Sequence, residues 1–121
     1  MPRNDEFLAG LNYVPENGDY YATVRAFPPG ADPETDKPAG MLKWRKASPA
    51  GEIHFISVEE PYQRQGLATE LLSRGRNFAQ ATRGLPVPKH SRDRTNAGEA
   101  WARSLGERLP RREQRWDGRD E

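Results

Sequence analysis

Residues 63–69 (QRQGLAT) open a stretch whose apolar residues recur at helical spacing, and they follow a β-rich run, residues 52–58 (EIHFISV), and a turn at Pro61. That placement makes an anion cradle. The first amides of a helix have no acceptor within it, and the macrodipole adds partial positive charge there. Gly66 lets a phosphate approach the backbone, Ala68 keeps the first turn uncrowded, and Arg64 adds a cation. Ahead of the cradle, strict strand alternation puts Glu52, His54, Ile56 and Val58 on one face and Ile53, Phe55 and Ser57 on the other. Two titratable side chains then share a face, an arrangement suited to proton transfer.

The elements that position these residues are read from periodicity. Residues 20–27 (YYATVRAF) alternate as a strand, and residues 28–40, with four prolines and three acids, form a long solvated loop. Residues 40–46 are a second strand, residues 47–51 (ASPAG) a hairpin turn, and residues 52–58 a third strand. Leu67, Leu71, Leu72, Phe78 and Ala79 predict a helix over residues 65–81, stopped by Gly84. Residues 85–90 (LPVPKH) are read as a short fourth strand, kept from a fully paired central position by Pro86 and Pro88. Asn96, with Glu99 three residues on, caps a last helix that turns Ala97, Ala100, Trp101, Ser104 and Leu105 inward and stops at Gly106. The expected fold is a small α/β (mixed α+β sheet) domain over residues 19–107. Its order is strand, strand, strand, helix, strand, helix, between a loosely ordered N-terminal arm (1–18) and a charged C-terminal tail (108–121).

Residues 52–72 resemble the signature of the GNAT superfamily of acyl-CoA N-acyltransferases, in which a strand ending in Val leads to Gln/Arg-x-x-Gly-x-Gly/Ala at a helix start. Gln63, Gly66 and Ala68 stand at the defining positions, and the element order matches over residues 20–106. The resemblance implies a truncated GNAT fold with acetyl-CoA, or a related acyl-CoA, as cosubstrate and an amine as acceptor. It implies that the loop and first turn, Arg64, Gln65, Gly66, Leu67, Ala68 and Thr69 with Gln63, hold the pyrophosphate, and that the Val58 backbone bonds the pantetheine arm. Family bases stand six or four positions before that Val, where Glu52 and His54 lie. The thiolate in many members is protonated by a Tyr four residues before a Gly; here that position, relative to Gly106, is Ala102, leaving His90, Ser91 or water. Members also carry a strand and two helices before the residue 20–27 strand, and nineteen residues are too few for them. The short, Arg-rich style is similar to small acetyltransferase-like proteins of actinobacteria and their phages. The competing expectation is therefore a non-catalytic GNAT-fold binding or assembly module, such as a virion or host-interaction component.

Composition narrows the surroundings. The 121 residues are 34% hydrophobic and 31% charged, without cysteine, which removes disulfides and Cys-ligated metal. Neither His54 nor His90 stands at ligand-like spacing with acids, so no metal is expected. Residues 1–60 carry 6 basic and 10 acidic groups, and residues 61–121 carry 13 and 8, so the cradle lies in the basic half. That half suits an anionic cosubstrate, and no nucleic-acid motif accompanies it. No stretch approaches the roughly 18 apolar residues of a membrane span, and no secretory apolar run opens the chain, which points to a cytoplasmic protein. So small a core is consistent with a homo-oligomer or a place in a larger assembly.

Overall fold

The computed structural model describes residues 3–90, 101–103 and 105–106, and the chain divides into two compact units, residues 1–88 and 89–121. Among the described residues, the first unit holds α1 (Asp5–Gly10), β1 (Asn12–Asn17), β2 (Tyr21–Phe27), β3 (Gly40–Arg45), β4 (Ile53–Val58) and α2 (Leu67–Ala81), with a 3-10 turn at Glu60–Tyr62. The strands form one antiparallel sheet in the order β1-β2-β3-β4. This is the mixed α/β class expected, in a truncated form.

Alternation decides which face is buried. Ala22, Val24 and Ala26 of β2 and Gly40, Leu42 and Trp44 of β3 are buried, while the residues between them are half-exposed except at the end of β2. Against that face α2 sets Leu67, Leu71, Leu72, Gly75 and Ala79, the 3.6-residue stripe read from the sequence. Each fully buried Leu or Val contributes about 1.5–3 kcal/mol. Gly75 sets how close the helix comes: a Cβ there would stand 2.8 Å from Leu42 Cδ2, 3.3 Å from Pro88 Cγ and 3.4 Å from Trp44 Cζ3.

The N-terminal segment departs from the expected loose arm. Asn4 caps α1 by accepting a hydrogen bond from the Phe7 amide at 3.1 Å, Leu8 and Leu11 are buried, and Phe7 stacks on Tyr62 with centroids 5.9 Å apart. β1 then pairs with β2 from Asn12↔Phe27 to Asn17↔Ala22. As an edge strand, β1 tolerates Pro15 and is largely exposed, so its residues (NYVPEN) show no apolar alternation. Pairing with β2, rather than its own pattern, makes it a strand.

Residues 85–88 also differ from expectation: they carry no strand pairing, and only Lys89 makes an isolated bridge. Pro86 and Pro88 have no amide to donate, and the Pro86 carbonyl accepts the Trp44 indole N–H at 2.8 Å. In the 28–39 loop the Asp32 and Asp36 carboxylates accept backbone amides of Glu34 and Asp32, and Arg25 donates to the Pro33 carbonyl. Within the second unit residues 101–103 are helical, Gly106 is left-handed at φ 71°, and His90 meets Trp101 edge-on at 5.4 Å. The expected Asn96 cap, Ser91, the rest of the last helix and the tail at 108–121 lie outside the described residues.

Candidate functional site

The link from β4 to α2 is built from two residues in the left-handed region. After the Glu60–Tyr62 turn, Arg64 takes φ 65° and Gly66 takes φ 90°, so the chain reverses within four residues and enters α2. Gly66 is the N-cap and supplies no side-chain hydrogen bond; the first helical bond runs from the Glu70 amide to the Gly66 carbonyl at 3.0 Å. The start of α2 thus presents backbone amides and a positive dipole end, and its N-cap residue supplies no side-chain oxygen to them. These residues fit a phosphate. Leu67 is buried as the first core residue of α2, and Ala68 and Thr69 are half-exposed beside it. Gln63 donates from Nε2 to the Val58 carbonyl at 2.9 Å, tying the end of β4 to the loop. That carbonyl keeps a second lone pair.

Sequence reading missed what lies against the cradle. The Asn4 amide donates to the Gln65 carbonyl at 3.1 Å, and Asn4 Nδ2 donates to Gln65 Oε1 at 3.0 Å. A Cβ added to Gly66 would meet Arg3 Cγ at 3.3 Å. From there Arg3 pairs through Nη2 with Glu70 Oε1 and through Nε with Asp5 Oδ1, and Arg74 Nε donates to Glu70 Oε2 at 2.9 Å. Burial acts to raise the Glu70 carboxyl, but the hydrogen bonds from Arg3 and then Arg74 outweigh it and hold the group below the usual carboxylate range. The Glu70/Arg74 spacing of four was a legible signal. Arg3, 67 residues away in the chain, carried none.

The face expected for Glu52 and His54 needs correction. β3 and β4 pair as Lys43↔Phe55 and then Trp44↔Ile53, leaving His54 as the extra residue of a β-bulge. The bulge resets alternation. Ile53, Ile56 and Val58 oppose buried Trp44, Leu42 and Gly40 on the α2 side, while His54 sits on the opposite side, 4.9 Å from the Tyr21 ring and 5.7 Å from Phe55. Glu52, one residue before buried Ile53, falls by alternation on the His54 side; the Arg45 amide donates to its carbonyl at 2.9 Å. Lys43 Nζ lies 4.4 Å from the Tyr21 centroid on that same face. Glu52 and His54 therefore share a face with each other, and not with the side chain of Val58.

The expected position of the thiolate acid, Ala102, is a buried methyl group. Strand β1 precedes β2, as the resembling fold requires, but residues 18–20 alone join them, so the two helices that build an acceptor pocket in that fold have no room there.

No curated protein and no solved structure matches the chain. The model of the acetyltransferase (GNAT) family matches residues 4–106, from the α1 cap through the cradle to Gly106. The chain therefore belongs to the GNAT family of acetyltransferases, enzymes that generally take acetyl-CoA or another acyl-CoA as cosubstrate.

Proposed function

We propose that this acetyltransferase holds acetyl-CoA, or a related acyl-CoA, by its pyrophosphate at the start of α2 and transfers the acyl group to an amine approaching the Glu52/His54 face of the sheet. One observation carries the reading: α2 begins at a left-handed glycine with no side-chain cap, directly after the strand that ends at Val58. The backbone of residues 64–69, with Gln63 orienting the loop, binds the pyrophosphate, and the Val58 backbone holds the pantetheine arm. Backbone polar groups lie in the plane of a sheet, so the face taken by the Val58 side chain does not decide that contact. The amine nitrogen attacks the thioester carbonyl carbon, the C–S bond breaks, and the amine proton passes to His54 or Glu52, directly or through water. With a methyl group at position 102, the departing thiolate takes its proton from water.

Acetyl-CoA should raise the melting temperature by mass action, Gly66→Trp should abolish that shift, and free thiol should appear when an amine acceptor is added. Glu52→Gln and His54→Ala should each lower turnover while the acetyl-CoA shift persists; unchanged turnover in both removes the base assignment. Absence of any shift at millimolar acetyl-CoA sinks the cradle reading. A shift without thiol release across a broad amine panel would favour a binding module, in keeping with Ala102 and the short β1–β2 connection.

A further inference from the structure

Glu70, Arg74, Asn77 and Phe78 follow one another at spacings of four, three and one along α2, and together with Tyr13 and Pro15 of β1 and Val24 of β2 they line an open cavity of about 390 Å³. Its charges are not isolated. Asp5, Arg3, Glu70 and Arg74 form a chain of alternating sign in which the two inner groups each have two partners. Arg74 ends that chain. Its Nε is spent on Glu70, its Cζ lies 3.7 Å from the centroid of the Tyr13 ring, and Tyr13 is itself held by donating from its hydroxyl to the Leu8 carbonyl at 2.8 Å. The guanidinium is thus held by Glu70 at Nε and by Tyr13 at its face, and among the described residues neither Nη is paired with a carboxylate. Glu70, with two guanidinium partners, has little charge left to repel an anion. An oriented guanidinium edge matches a planar carboxylate with two parallel N–H···O bonds and repels an ammonium. Phe78 and Pro15 give the cavity an apolar side over buried Val24, and its volume falls in the range of small-molecule sites.

We infer that the cavity between α2 and the β1–β2 hairpin is a second binding site, for a small carboxylate with a short apolar body: the carboxylate on the Nη edge of Arg74, the body against Phe78 and Pro15. The cradle at residues 63–69 takes no part in it, so the site stands whether or not acyl-CoA binds there.

The test is calorimetric titration of the full-length protein with phenylacetate, phenylacetamide, phenethylamine and inorganic phosphate. Phenylacetate should bind saturably, and the neutral amide and the amine should not. Arg74→Gln and, separately, Asn77→Asp should each weaken phenylacetate at least about tenfold, the first by removing the paired bonds and the second by placing a like charge at the rim. Asn77 is exposed on α2, so its variant keeps the Tyr13, Arg74 and Glu70 contacts even if Arg74→Gln unfolds. Saturating acetyl-CoA should leave the phenylacetate affinity unchanged. Equal binding of phenylacetamide, wild-type affinity in the Asn77→Asp variant, displacement by equimolar phosphate, or failure of phenylacetate, benzoate and hexanoate alike would each overturn the assignment.

Discussion

Replacing Gly75 with Ala sets two effects of opposite sign against each other. Ala is favoured over Gly inside a helix by about 1 kcal/mol, and Gly75 lies mid-helix in α2, so propensity alone calls for a more stable protein. The structure reverses that sign. The new methyl would stand 2.8 Å from Leu42 Cδ2, closer than side-chain carbons pack, with Pro88 at 3.3 Å and Trp44 at 3.4 Å. Leu42 and Trp44 are both 0% exposed, so the Leu42 methyl has nowhere to rotate and α2 must lift from β3. Overpacking costs about 1–3 kcal/mol, and with both neighbours fully buried the upper half of that range applies, leaving a net loss of about 1–2 kcal/mol after the propensity gain. For a domain of this size that is a fall in Tm on the order of 5–10 °C. Urea unfolding followed by tryptophan fluorescence, to which Trp44 at the contact contributes alongside Trp101 and Trp116, and thermal melts by circular dichroism would measure it. Ser73→Ala, exposed on the same helix, is the reference in which the propensity gain acts unopposed. A Gly75→Ala protein as stable as wild type or more so would refute the close approach of α2 to β3.

Three further outcomes follow from the same contacts. Gly66→Ala forces a side chain into φ 90° and against Arg3, at a cost of about 1–2 kcal/mol, read as a lower Tm and faster hydrogen exchange at the Asn4 amide. Trp44→Phe removes the bond to the Pro86 carbonyl and leaves a void in the core, a loss of about 2–3 kcal/mol in chemical denaturation. For Glu70→Gln the sign comes from linkage. The folded carboxyl titrates below its unfolded value of about 4.3, so its contribution is complete above that pH and is lost as pH falls through the lower folded value. Wild type should therefore exceed Glu70→Gln in stability near neutrality, the gap closing as pH falls through the acid range; a gap independent of pH would show that the ion pairs are not its source.

Local pattern carried the parts of this molecule that repeat along the chain. Leu67, Leu71, Leu72 and Ala79 announced α2 and its buried face, because a helix returns every third or fourth residue to one side. The cradle was legible for a related reason: the β-rich run, the Pro61 turn and Gly66 are consecutive, and a helix start exposes its amides whatever it packs against. Strand β1 was not legible, since its residues (NYVPEN) carry no apolar pattern and it exists through its pairing with β2.

The sequence by itself determined the helix, strands β2, β3 and β4, and the glycine turn that opens the helix, all set by neighbours within a few residues. Only the tertiary structure decided that His54 is a bulge residue, that Glu52 and His54 turn away from Val58's side of the sheet, and that Arg3 lies on Gly66 while ending its reach at Glu70. A bulge depends on how β3 and β4 register, and an ion pair between residues 3 and 70 depends on where α1 docks. Neither distance is written in any local window, because both are fixed only when the sheet and α2 close on their common core.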